Sequence, residues 1–146
     1  MNRLPRPTPS RLIETRTEGA VVRLIDQDSG GCPAVAVAGA LLSGPGQLCD
    51  RSSIVPIITL EDYGFCRNGD GGKWVEGGRI ELGGELPINT SGGLLSETGM
   101  PGLQLVLEGV RQLRGSSVNQ VRGARKLAVS NQGAIMHTHS TLVLGT

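Results

Sequence analysis

The sequence predicts a mixed α/β domain, and three stretches carry that expectation. In "GLQLVLEGVRQLRG" the apolar residues Leu103, Val106, Leu107, Val110 and Leu113 recur at three- and four-residue spacing, the pattern of an amphipathic helix. Behind it, "ARKLAVSN" and "HSTLVLGT" read as two β segments parted by "QGAIMHT". Near the other end, "GAVVRLIDQD" from Gly19 has the β-branched density of a strand. Strands and a helix of this kind in one short chain fit a mixed sheet covered by helices.

At 146 residues the chain is read as one domain with room for a real core. That core has to be aliphatic, because Phe, Trp and Tyr occur once each while Gly occurs 23 times. With 14 basic and 13 acidic residues the formal charge is +1, which gives no reason to expect nucleic acid or an anionic membrane as the main partner. The longest apolar run, "AVAVAGALL" from Ala34, is far shorter than the roughly 20 residues needed to span a bilayer. No signal peptide is recognised, so the expected location is cytoplasmic. Cys32, Cys49 and Cys66 are odd in number and lack metal-ligand spacing, and are read as reduced thiols.

The elements follow in order. The opening "MNRLPRPTPS" is rich in proline, so residues 1–18 are read as a mobile leader and 19–146 as the folded domain. The stretch "GGCPAVAVAGALLSGPG" is apolar but bracketed by Gly and Pro, and its type stays open. In "RSSIVPIITLEDYGFC" a helix that starts near Ser52 or Ser53 places Pro56 in the tolerated first turn and ends at Gly64. From Arg67 to Glu85 glycine dominates, which indicates turns and a mobile excursion around Trp74 of the kind that covers a site. "LPINTSGG" then leads toward the amphipathic helix, which closes with Arg111, Arg114 and Gly115.

Three places invite chemistry. In "NTSGG", Gly92 and Gly93 lack Cβ and let backbone N–H groups approach a ligand, while Asn89, Thr90 and Ser91 add short polar groups; a plain turn is the competing reading. His137 and His139 are two apart on a strand edge and point to one face. They lack a third ligand nearby, so no metal site is expected, and an acid, base or oxyanion-donor role for one of them competes with a surface position. Cys49 precedes the first helix, where a thiol can become more acidic, but Asp50 beside it opposes the thiolate; small packing for Cys49 and a cap role for Asp50 are the alternative.

Taken together, "CDRSSIVPIITLEDYGFC", "GGELPINTSGGLLSETGMPGLQLVLEGVRQLRG" and "SNQGAIMHTHSTLVLGT" resemble, from about Leu48 to Thr146, the C-terminal half of thiolases of the sterol-carrier-protein type. That group includes the lipid-transfer aldolases of steroid side-chain degradation. The resemblance implies a thiolase-like C-terminal half with a five-stranded mixed sheet flanked by helices. It implies an acyl-CoA thioester as substrate, with no further cofactor, and "NTSGG" beside the reacting carbonyl. The nucleophilic cysteine of such enzymes belongs to the other half, so a partner would have to supply it.

Departures from the family pattern bear on activity. Thiolases carry Gly-His-Pro after the glycine turn, and the matching place here falls near Gly99, with no imidazole. The aldolase branch places tyrosines where this chain has Gly99 and Cys49. Asp50 and His139 remain as polar candidates, with Cys66 as a further thiol to test. Three expectations therefore stand. One is a component of thiolytic or retro-aldol cleavage that works as a homo-oligomer or with a second thiolase or acyl-CoA-binding subunit. The second is a non-catalytic module that binds a partner protein or acyl-CoA. The third is an α/β domain whose glycine turn is structural.

Overall fold

The computed structural model describes residues 11–17, 20–28, 44–97, 103–133 and 138–146, with 11–28 and 138 described by backbone alone. The strands are β1 (Arg11–Thr17), β2 (Ala20–Asp28), β3 (Gly46–Gln47), β4 (Lys126–Gly133) and β5 (Thr138–Gly145). They form one mixed sheet in the order β1-β2-β5-β4-β3. β3 runs parallel to β4, and every other pairing is antiparallel. A parallel pair needs a long crossover, and among the described residues every helix lies between β3 and β4.

Two expectations change here. Among the described residues downstream of residue 44 there are three strands, β3, β4 and β5, not the five implied for a thiolase half; the other two strands of the sheet come from residues 11–28. The span read as a leader also contains β1, because β2 offers it a full antiparallel register from Arg11 opposite Asp26 to Thr17 opposite Ala20. Proline stops at Pro9, so nothing in "RLIETRT" blocks strand pairing. Residues 1–10 and the ambiguous apolar stretch through residue 43 lie outside the described residues.

The helices among the described residues are α1 (Ile54–Asp62), α2 (Gly71–Trp74), α3 (Gly93–Ser96) and α4 (Leu103–Arg114), with a 3-10 turn at Glu76–Gly78. α1 starts after Ser53 and places Pro56 in its first turn, as expected, but Ser53 makes no side-chain capping bond. The glycine-rich segment is more than an open excursion: it folds into α2 and tight turns and builds its own core. There Leu48, Leu60, Tyr63 and Leu86 are buried, with Phe65, Trp74, Val75 and Ile80 packed on them. Trp74 lies 5.8 Å from Phe65, and the Arg79 guanidinium sits 5.2 Å from the Trp74 ring.

α4 is helical over the expected residues but turned about its axis. Its buried stripe is Leu105, Glu108, Gly109 and Gln112, whereas Leu103 is 71% exposed and Leu107 53%. Gly109 is the reason. A Cβ there would meet Leu127 Cδ1 at 2.8 Å, so the missing side chain lets the helix axis approach β4 closely on this face. Cys49, Val55, Leu94, Leu105, Leu127, Val129 and Leu144 form the core between α4 and the sheet.

Candidate functional site

The turn at Asn89–Gly93 leaves the sheet alongside β3. Ile88 bridges Gly46 in parallel, and the Asn89 N–H donates to the Gly46 carbonyl at 2.9 Å. β3 itself ends after two residues, and the Asn89 side chain continues the pairing in its place. Its Oδ1 accepts from the Leu48 N–H at 2.7 Å and its Nδ2 donates to the Leu48 carbonyl at 2.9 Å. Asn89 holds φ at 48°, a left-handed value that asparagine tolerates better than most residues. The Gly92 N–H then donates to the Asn89 carbonyl at 2.8 Å and closes the turn.

Gly93 answers to a carboxylate within the chain. Asp50 Oδ1 accepts the Leu94 N–H at 2.7 Å, and a Cβ on Gly93 would collide with that carboxylate. Its φ of 68° excludes most side chains as well. Asp50 is thus a clamp on the first turn of α3, and not on the helix after Ser53 that it was expected to cap. Gly93 is buried and Gly92 exposed, so the two glycines of "SGG" present different environments.

Thr90 is the centre of a buried polar cluster. Its hydroxyl donates to Glu108 Oε1 at 2.6 Å and accepts from Gln47 Nε2 at 3.1 Å and Gln112 Nε2 at 2.9 Å. The Asn119 amide donates to the Thr90 carbonyl at 2.8 Å. Glu108 Oε1 also takes the Ser117 hydroxyl at 2.6 Å, and Gln112 ties the loop after α4 through the Asn119 carbonyl and the Val121 N–H. A buried carboxylate that collects several donors in this way holds its surroundings rigidly. The Ser91 hydroxyl has no partner among the described residues and borders a recess of about 330 Å³ shared with Glu108, Arg111 and Asn119.

Cys32 lies outside the described residues, and the other two cysteines are poor nucleophile candidates. Cys49 is 0% exposed in the aliphatic core, which is the packing alternative to a reactive thiol. Burial pushes the Cys66 thiol up, with Glu61 and Asp70 adding to the effect.

His139 lies elsewhere. The β4–β5 register sets Ser130 opposite Thr141 and Gln132 opposite His139, all on one face, while Val129, Leu142 and Leu144 alternate onto the face that α4 covers. The sheet therefore separates His139 from the glycine turn. The Tyr63 hydroxyl, from the end of α1, reaches His139 Nε2 at 3.1 Å and Thr141 Oγ1 at 2.7 Å. Ser130 Oγ lies 3.3 Å from His139 Nε2, and Gln132 Nε2 lies 3.4 Å from Nδ1. The Tyr63 and His139 rings meet edge to face at 5.8 Å. Burial drives the His139 pKa down and pushes that of Tyr63 up to about 12, so both groups are held neutral at pH 7.

Sequence reasoning missed Glu108, Gln112 and Tyr63. The first two stand four residues apart on the stripe that contains Gly109, a signal hidden by the stronger apolar pattern beside it. Tyr63 carries no spacing signal at all. His137 and Gly99 lie outside the described residues. Among the described residues no group of His, Cys, Asp and Glu side chains could hold a metal ion, and no helix is long and apolar enough to cross a membrane.

Comparison with known proteins converges on one family. Residues 45–146 match the family model described as thiolase C-terminal domain-like. A Mycobacterium tuberculosis protein, 17-hydroxy-3-oxo-4-pregnene-20-carboxyl-CoA lyase, is 46% identical over 83 residues, covering 57% of this chain and 22% of the relative. A steroid side-chain-cleaving aldolase of Thermomonospora curvata is 40% identical over 77 residues, covering 53% of this chain and 20% of its own. A solved structure described as Ltp2-ChsH2(DUF35) aldolase superimposes with a TM-score of 0.68 at 32% identity, over 80% of this chain and 32% of that one. The chain thus spans about a fifth of the length of these curated relatives, from the 22% and 20% shares.

Proposed function

Because the chain belongs to the thiolase C-terminal domain-like family, we propose that it is one part of a two-part catalyst for acyl-CoA carbon–carbon cleavage or acyl transfer on lipid or steroid side chains. In this reading a partner chain carries the nucleophile and the acid/base groups. The Asn89–Gly93 turn is the contribution of this chain, a backbone edge held by Asp50, Leu48 and the Thr90–Glu108 cluster, against which a thioester carbonyl is oriented. The relatives named as a CoA-ester lyase and as an aldolase motivate the substrate class.

One observation carries the dependence on a partner. The layer beside the turn shows apolar side chains to solvent, with Leu95 64%, Leu103 71% and Leu107 53% exposed. A helix that buries Glu108 and Gln112 while exposing leucines is oriented for a second surface to cover it. The deciding experiment is purification of the tagged chain from its source, followed by assay with acyl-CoA substrates. Cleavage by a co-purified complex, absent from the isolated chain, is the expected result. A monodisperse monomer that binds no apolar dye and melts unchanged with millimolar acyl-CoA would sink the reading.

A second reading has its own support. Cys49 is sealed in the core and His139 is enclosed with Tyr63 across the sheet, so the expected acid/base residues do not converge on the turn. A non-catalytic module that binds its partner or acyl-CoA without turnover fits this arrangement. It predicts a complex that shows acyl-CoA-dependent stabilisation but no thioester or carbon–carbon cleavage.

A further inference from the structure

A second concavity lies away from the glycine turn. β3 and β4 are parallel and so enter the sheet from the same end, whereas Leu48–Asp50 and the turn follow the far end of β3. At the entry end is a cleft of about 540 Å³ between Pro45, the Leu82–Pro87 loop and the Val121–Arg122 approach to β4. That volume is within the range of small-molecule sites.

The walls are pinned. The Gly46 N–H donates to the Pro87 carbonyl at 2.9 Å, the Leu86 N–H to the Arg79 carbonyl at 3.0 Å, and the Val121 N–H to Gln112 Oε1 at 2.9 Å. Pro45, Leu86, Pro87 and Val121 give carbon surface, and Leu82, 57% exposed, stands at the mouth. Two charged side chains border this surface. Glu85 is engaged by Arg79 at 3.2 Å, while Arg122 makes no ion pair among the described residues. Arg125 and Lys126 follow on the same approach and add positive potential.

Largely apolar walls with, among the described residues, one cation at the rim that makes no ion pair select a ligand of matching polarity. We propose that this cleft binds a hydrocarbon body with an anionic end, seated on Leu82, Leu86 and Val121 with its carboxylate on the Arg122 guanidinium. A free medium-chain carboxylate and the anionic end of a larger lipid share this chemistry. The site is separate from the turn and stands whether or not the turn orients a thioester.

The test uses the isotopically labelled full chain, titrated by amide NMR with octanoate, octan-1-ol and acetate. Octanoate is expected to shift the Leu82–Leu86 and Val121–Arg122 amides saturably, octanol to bind at least about tenfold more weakly, and acetate to leave them unmoved. Arg122→Ala should reduce octanoate to the level of octanol. Leu82→Asp, at an exposed position that the fold does not need, should abolish octanoate shifts. Absence of saturable shifts, an acetate response equal to that of octanoate, or an octanoate preference that survives Arg122→Ala would each overturn the proposal. Esters of the same chain length with a distal carboxylate separate the two ligand sources: a longer headgroup tolerated at equal affinity supports a lipid, and its rejection a free carboxylate.

Discussion

Two buried polar clusters occupy opposite faces of the β4–β5 pair, and they are built differently. On the α4 face, Glu108 Oε1 gathers Thr90, Gln112 and Ser117, and the cluster reaches both the side chain and the carbonyl of Thr90. On the α1 face, Tyr63 and His139 are joined by neutral hydrogen bonds to Thr141, Ser130 and Gln132. The first cluster has a charged centre and fixes a turn; the second has none and stitches a helix end to the sheet. Charge-assisted bonds to a buried carboxylate are stronger and costlier to break than neutral ones. The turn should therefore be the stiffer of the two regions, and the Tyr63–His139 side the one that responds to pH.

The comparison breaks most readily at Gly93. Gly93→Ala forces a Cβ onto the Asp50 carboxylate at a positive φ and should cost about 2–4 kcal/mol in chemical denaturation. Adding Asp50→Ala should recover part of that loss, and strict additivity in the double-mutant cycle would show that the two residues do not meet. Glu108→Ala removes the acceptor of three hydrogen bonds, leaving the Thr90 and Ser117 hydroxyls without it, and should cost about 2–3 kcal/mol. It should also raise hydrogen exchange at the Thr90–Leu94 amides, which a loss confined to α4 would not do.

Tyr63→Phe removes only neutral bonds, so a smaller loss of about 1 kcal/mol is expected, with the turn amides unchanged. The pH effect follows from His139. Its folded pKa lies below 6.5, so the unfolded chain takes up the proton first. Stability is then full above about pH 6.5 and falls as the pH drops toward the folded pKa. His139→Gln should flatten this slope, and an unchanged slope would assign the acid sensitivity to other groups. The smallest effect is expected at the exposed ridge. Leu107→Ser should change monomer stability by less than about 0.5 kcal/mol while weakening association seen by light scattering.

Much of the fold was legible because it depended on local pattern. α1 and α4 fall where proline and apolar spacing put them, and β4 and β5 where alternation does. The site was legible in part. "NTSGG" was marked by composition, but the reason for Gly93 is Asp50, 43 positions earlier, and no local pattern could name it. The orientation of α4 misled for a related reason. Its apolar stripe is only partly covered, with Val106, Val110 and Leu113 at the core edge and Leu103 and Leu107 exposed, because Gly109 lets a mixed stripe lie closer to the sheet and Thr90 and Ser117 satisfy the carboxylate buried there.

The amino-acid order alone therefore determined the types of α1, α4, β2, β4 and β5, the aliphatic core and the family, since each rests on residues close in sequence or on whole motifs. Tertiary structure alone decided which face of α4 is buried, that Asp50 rather than a ligand occupies the space above Gly93, and that His139 is screened from the turn by the sheet. Those outcomes depend on close approach between distant segments, where a missing Cβ or one satisfied carboxylate outweighs any local preference.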